Sequence, residues 1–473
     1  MPLTPAFEAS VYKSRRDEVL RRMRELSAGP AVAVFPGMPV ATRNSDVEHP
    51  YRAHSDLYWL TGFEEPETVA VLSTQGDKPF TLFVRPRDKE KEIWTGRRSG
   101  VEGAMKSFGA DQAFEIHKLP DELPKLVGTA RTLFYRVGGD DPQFDTAMAQ
   151  MLRTLRARAR AGVNAPPRIE DPGQIVHELR LRKEPRELDA LRKAVQLTRS
   201  GHVAAMRAGR PGTHEYDLHA ILEREFRQGG GRGWGYYPIV AAGENATVLH
   251  YNDNCVQIRD GELVLIDAGA EYDLYTADVT RTFPASGRFS DAQRSCYQLV
   301  LEAADACIAA TRPGETIDGL HEKAVRILTE GMVKLGLLAG EVDALIKENA
   351  YRRYYMHRTS HWLGLDVHDV GSYSVDGKAR PLEAGMVFTI EPGLYIAKDD
   401  ESAPEHFRGI GIRIEDDILV TPAGHENLTV SIPRTVKDVE AACAREALSP
   451  CRRPSLSASS CRAARTARSA PRT

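Results

Sequence analysis

Three apolar runs in this chain each end on a carboxylate: Leu263-Val-Leu-Ile-Asp267, Met386-Val-Phe-Thr-Ile-Glu391 and Ile410-Gly-Ile-Arg413-Ile-Glu415. Their length and β-branched content read as buried strands. A carboxylate carried into the interior is costly unless it is paired or bound to a metal. Whatever the fold, it has to bring these strand ends to a common counter-charge. In the last run, side-chain alternation puts Ile410, Ile412 and Ile414 on one face, so Arg413 and Glu415 project together from the other. Asp278 follows Asp267 by eleven residues (278 − 267) in Thr276-Ala-Asp278-Val-Thr-Arg281, which reads as the return strand of a hairpin. The segment Ser360-His361-Trp-Leu-Gly364-Leu-Asp366-Val-His368-Asp369 adds two imidazoles.

Taken singly, each feature has an ordinary structural explanation. An Asp in a hairpin is commonly a turn or salt-bridge residue, a His beside Trp a satisfied core residue, and Glu415 a partner for Arg413. Jointly they point to metal. Several oxygen ligands with one imidazole suit hard or borderline divalent ions such as Mn²⁺. Four carboxylates also balance two such ions, which two-metal hydrolases hold about 3.5–4 Å apart.

At 473 residues the chain is too long for one ordinary core. Residues 1–173 read as a small α/β domain, with strand-like runs at Ala31–Phe35, Thr68–Leu72, Phe80–Val84 and Thr132–Val137 and helices over Ser14–Leu26 and Pro142–Ala161. Pro166-Pro167 and Asp171-Pro172-Gly173 then mark a boundary. Residues 174–440 open with a long amphipathic helix over Pro185–Ala208, followed by Arg210-Pro211-Gly212-Thr213, where Thr213 is placed to cap a helix reaching Arg227. The arrangement returns later, with a helix from Asp291 to Thr311 leading into Arg312-Pro313-Gly314-Glu315-Thr316. This echo suggests two similar halves about a pseudo-twofold axis. The glycine-rich Gly229–Gly235 stretch lacks the Lys-Ser/Thr of a phosphate loop and reads as a flexible connector near the site.

The net charge of −3 gives no support to a nucleic-acid partner, and no apolar run is long enough to span a bilayer. The polar, basic N-terminus lacks a signal-peptide core. The six cysteines show no CxxC pairing, so a cytoplasmic setting is expected. Residues 441–473 differ from the rest, with seven Arg and one acid (+6), which leaves −9 for the remainder (−3 − 6). Their Ser-, Ala-, Arg- and Pro-rich composition reads as a disordered basic tail. A nucleic-acid or membrane-contacting arm and a translated frame-shift are the competing readings.

The strings LIDAGAEYDLYTADVTRTF, VLHY, MHRTSHWLGLDVHDVG, FTIEPGLYI and GIRIED, with YRAHSDLYWLTGFEEPE near the N-terminus, resemble aminopeptidase P (Xaa-Pro aminopeptidase). That family belongs to the pita-bread metallopeptidase group, with prolidase, methionine aminopeptidase and creatinase. The resemblance runs from about residue 5 to 440. It implies an α/β N-terminal domain followed by an α+β pita-bread catalytic domain with pseudo-twofold halves. It also implies hydrolysis of the bond between an N-terminal residue and a following proline. The implied metal ligands are Asp267, Asp278, His361, Glu391 and Glu415, with Asp278 and Glu415 bridging two ions, most naturally Mn²⁺. His250, His368, Glu391 and Arg413 take catalytic positions. His357, Tyr395, Tyr236 and Trp94 are the implied substrate contacts, Trp94 reaching a neighbouring subunit's site in a homo-oligomer, a dimer or tetramer. The rivals are prolidase, which cuts only dipeptides, a pita-bread binding module without catalysis, and metal-free creatinase-like hydrolysis. The complete ligand set argues against the last two.

Overall fold

A computed structural model describes residues 3–444, in two compact units that meet in sequence between Arg182 and Lys183. The first unit is built on a six-stranded sheet in the order Gln112–Glu115, Phe80–Val84, Val69–Ser73, Ala31–Pro36, Thr132–Phe134, Arg168–Glu170. The two edge strands escape a reading of hydrophobic runs because their side chains are only partly buried or exposed. Val32, Val34, Val71, Phe83 and Leu133 pack its core under the helix Pro142–Ala157. The unit continues past the Asp171-Pro172-Gly173 break because the helix Gly173–Arg180 is tied back by ion pairs. Asp56 accepts from Arg180 at 2.7 Å and lies 3.1 Å from His177 Nε2.

The second unit has two halves of the same plan. Helices Pro185–Ala208 and Glu215–Gln228 cover a sheet of Ile239–Ala242, Leu263–Asp267 and Thr280–Pro284. Helices Asp291–Ala310 and Ile317–Lys334 accompany a sheet of Val387–Ile390, Asp416–Thr421 and Gly424–Asn427. The repeated Arg-Pro-Gly turn makes the same pair of backbone bonds in each half. Gly212 N donates to Ile258 O and Ile258 N to Thr213 O; Gly314 N donates to Leu382 O and Leu382 N to Glu315 O. Aligned this way, His214 and Thr316 are equivalent, and both are N-caps. The cap of the first half is therefore His214 rather than Thr213, whose hydroxyl turns back to Ala208 O.

Three further expectations are corrected. Asp278 does not lie in a return strand, which begins only at Thr280. The backbone there bends inward, and Asp278 N donates to the buried Asp417 carboxylate rather than to a strand neighbour. Gly269 makes the bend feasible, because a Cβ at that position would lie 1.7 Å from Ala277 O. Gly269→Ala is accordingly expected to destabilise the protein by about 1–3 kcal/mol, read as a lower urea midpoint with an unchanged slope.

The glycine-rich stretch is not a loose connector either. Arg232 N donates to Glu271 O, Glu271 N to Gly233 O and Gly235 N to Gly269 O, which pins the segment as an added edge beside the hairpin. Finally, the boundary expected at residue 441 falls inside a helix, Val436–Cys443, whose Val439 and Cys443 are buried in the main core. Residues 445–473 of that basic segment lie outside the described residues. None of the described helices is long and apolar enough to cross a membrane.

Candidate active site

Asp267 closes the strand Leu263–Asp267, opposite Thr280 in the antiparallel register, and Glu391 follows the strand Val387–Ile390. Arg413 ends the strand Gly411–Arg413, and the alternation inferred from sequence holds. Ile410, Ile412 and Ile414 enter the core, while Arg413 and Glu415 both reach the Thr280 hydroxyl. That hydroxyl accepts from Arg413 Nε at 2.9 Å and donates to Glu415 Oε2 at 2.7 Å.

His361 enters from the second half. Its Nδ1 lies 3.0 Å from Trp362 O, which turns Nε2 toward the acids, 3.3 Å from Asp278, 3.7 Å from Glu391 and 4.0 Å from Glu415. One ligand atom each from Asp278, His361 and Glu415 lie within 4.8 Å of one another. The Tyr236 oxygen stands 2.6 Å from Asp267 and 2.5 Å from Asp278, so one phenol proton serves two carboxylates.

The electrostatics show an excess of negative charge. Burial opposes ionisation of Asp267, but Arg413 at 2.6 Å outweighs it and holds the carboxyl below its ordinary range. At the other acids, His361 and Arg413 do not outweigh burial and the neighbouring carboxylates. Burial first, then neighbouring carboxylates, raise Asp278 and lift Glu415 well above the ordinary carboxylate value. Glu391 is pushed up to about 7, chiefly by burial. His361 is disfavoured as a cation by burial, yet its bond to Asp278 and the nearby carboxylates lift it to about 9. This donor set fits divalent cations, which would supply the charge that Arg413 and His361 cannot.

A pH dependence follows. In chelated protein, Glu391 and His361 both hold their protons more tightly folded than unfolded. Their stabilisation is therefore greatest at low pH and is lost as pH rises, through about 7 for Glu391 and about 9 for His361. Between pH 5.5 and 9 the melting temperature of chelated protein should fall only above about 7.5, because below that the burial-depressed His202, His321 and His357 gain stability as pH rises. Metal-loaded protein should instead weaken toward acid, because protons compete for the ligands. Differential scanning calorimetry across that range checks both slopes.

A cavity of about 840 Å³ gathers Tyr236, His250, Asp267, Asp278, His357, His361, His368, Glu391, Arg413 and Glu415 on its wall. His250 is exposed there, and the His368 ring meets His361 edge-on, centroids 4.4 Å apart. Tyr395 stands behind the wall, its hydroxyl 2.8 Å from His357 Nε2 and accepting from Arg413 at 3.0 Å. Burial, with Arg413 nearby, pushes His357 down to about 3, so the ring is neutral. Trp94 belongs to the other unit, 87% exposed on the short helix Lys89–Thr95.

Sequence reasoning missed four contributors: Thr280, Asp417, Ser360 and Arg358. Thr280 shares the strand face of Thr282 and was legible as a polar residue amid a buried strand. Asp417 is wholly buried and stands two positions after Glu415, hidden by the acidic run. Ser360 and Arg358 line the cavity beside His361 and His357, and no spacing rule flags them.

Residues 189–422 match the family described as Metallopeptidase family M24, and residues 12–135 match the Aminopeptidase P N-terminal domain. The chain is 44% identical to the Xaa-Pro aminopeptidase of Escherichia coli over 91% of its length and 96% of the relative's. The chain belongs to metallopeptidase family M24. Among solved structures, Pseudomonas aeruginosa aminopeptidase PepP aligns with a TM-score of 0.89 at 45% identity, covering 92% of this chain and 98% of that one. A zinc-substituted E. coli aminopeptidase P in complex with product aligns with the same score at 42% identity, covering 93% and 100%. The M24 fold, with an aminopeptidase P N-terminal domain ahead of a pita-bread catalytic domain, is the architecture expected from the resemblance.

Proposed function

We propose that this M24 metallopeptidase removes the N-terminal residue from peptides whose second residue is proline, using two divalent ions, most naturally Mn²⁺. The observation that carries the reading is the convergence of Asp278, His361 and Glu415 donor atoms within 4.8 Å, in a chain so similar to Xaa-Pro aminopeptidases. Asp267, Asp278, His361, Glu391 and Glu415 are the side chains that would hold the ions, with Asp278 and Glu415 central to the set. When bound, the ions would lower the pKa of a water and polarise the scissile carbonyl.

The chain's own groups do the rest. Glu391 takes the proton of the attacking water and returns it to the leaving nitrogen. His368 and His250 stand on the cavity wall as donors to the oxyanion that develops on the carbonyl. Arg413 and Thr280 hold Asp267 and Glu415 in place. The leaving nitrogen is proline's, with no N–H and a fixed ring, so a wall shaped by His357, with Tyr395 behind it, selects it by form rather than by a backbone donor.

We place the enzyme in the cytoplasm, supported by the free thiols of Cys255, Cys296, Cys307 and Cys443. We also propose a homo-oligomer, a dimer or tetramer, supported by the exposed Ile93 and Trp94; light scattering checks it. The deciding assay compares Xaa-Pro-Yaa tripeptides with Xaa-Pro dipeptides, with and without Mn²⁺. Cleavage of tripeptides only with metal supports the proposal. Cleavage of dipeptides alone makes the enzyme a prolidase, and cleavage of neither removes the peptidase reading.

A further inference from the structure

The catalytic cavity is walled by four carboxylates, and a peptide carries a carboxylate of its own at its C-terminus. In a short substrate that group lies close to the reaction. A residue spans at most ~3.6 Å, so the terminal carboxylate of Xaa-Pro-Yaa lies within about 7 Å of the proline nitrogen. This is inside the ~8 Å over which charges are felt at physiological salt. Divalent ions held by the wall carboxylates would balance their charge, so a cation beside the cavity is what would single out this group.

Among the described residues, Arg413 and Arg358 are the Lys or Arg side chains that line the cavity. Arg413 is already committed, giving Nε to Thr280, Nη1 to Tyr395 and Nη2 to Asp267. Arg358 is different. Its backbone is one residue from the reacting groups, because His357 lies 3.6 Å from Glu391 and its Nδ1 is 2.8 Å from Arg358 O. Its side chain is 58% exposed and meets Asp318, 53% exposed, at the first turn of the helix Ile317–Lys334. Such exposed pairs contribute little and exchange readily.

We infer that Arg358 is a specificity-determining residue that leaves Asp318 to bind the C-terminal carboxylate of short proline peptides. The inference rests on the Xaa-Pro reading of the site. It gives the enzyme a preference for substrates whose carboxylate comes soon after the proline, and Asp318 acts as the competitor that limits that preference.

The test measures kcat/KM for Ala-Pro-Ala and for the same tripeptide with a C-terminal amide, using Mn²⁺-loaded protein. Wild type is expected to favour the free acid by about ten-fold, the scale of a hydrogen bond to a charged group, through KM rather than kcat. In Arg358→Gln the ratio of free acid to amide should fall to near one. In Asp318→Asn it should rise above the wild-type ratio, which a purely structural Arg358–Asp318 tie would not produce. A wild-type ratio near one, or a ratio that survives Arg358→Gln, overturns the assignment. If loaded wild type cleaves neither peptide, the Xaa-Pro reading fails and this inference with it; if it cleaves both equally, only the role of Arg358 is lost.

Discussion

Asp278→Asn is expected to reduce peptide hydrolysis by at least about a hundred-fold and to lower bound metal measured by mass spectrometry. Asp278 lies 3.3 Å from His361 Nε2 and shares a compact set of donor atoms with Glu415. An amide keeps the shape of the side chain but removes the negative charge that a bridging ligand supplies to both ions. The backbone of Asp278 is held by Asp417 through its N–H, which the substitution leaves in place. The variant should therefore fold, and an unchanged far-UV spectrum would separate loss of chemistry from loss of structure. Full activity with full metal content would take Asp278 out of the site.

Chelation is the second large effect. An ion that binds only the folded protein stabilises it by mass action, by about 2.7 kcal/mol at a hundred times its dissociation constant. For a unit of this size that corresponds to roughly 4 °C in melting temperature. Dialysis against a strong chelator should lower the melting temperature by this amount and abolish activity, and Mn²⁺ should restore both. The competing account, in which each acid is satisfied by a neighbouring Arg or Lys, already fits Asp267 with Arg413. It would extend to the whole site only if chelated protein kept its melting temperature and its activity.

The candidate site was largely legible because its acids interrupt apolar runs, where a charge stands out against a strong local pattern. Asp267, Glu391 and Glu415 could be read that way, and period two alone put Arg413 beside Glu415. The link from Asp267 to Asp278 was misjudged as plain hairpin because its inward bend is set by Asp417 and Gly269, contacts remote from one another in sequence. The cap at His214 was misplaced by one residue because Thr is the commoner cap, whereas tertiary pairing of Thr213 O with Ile258 N fixed the register. The glycine-rich stretch looked mobile by composition, yet Gly235 serves close packing, since a Cβ there would fall 2.0 Å from the Thr276 hydroxyl. Arg358 was invisible as anything but a surface cation.

The proposed ligands come from both halves of the catalytic unit, Asp267 and Asp278 from the first and His361, Glu391 and Glu415 from the second. Beneath them run bonds that need no ion: the wholly buried Arg281 guanidinium on Asp416 at 2.7 Å, the Thr280 hydroxyl on Glu415, and the Asp278 amide on Asp417. A metal centre held here would thus act as a clasp closed over a seam that is already stitched. Opening the clasp should not separate the halves but let both edges of the seam breathe together. Amide hydrogen exchange in Leu263–Asp267 and in Val387–Ile390 would then quicken in step, at a single rate set by the seam rather than by either sheet.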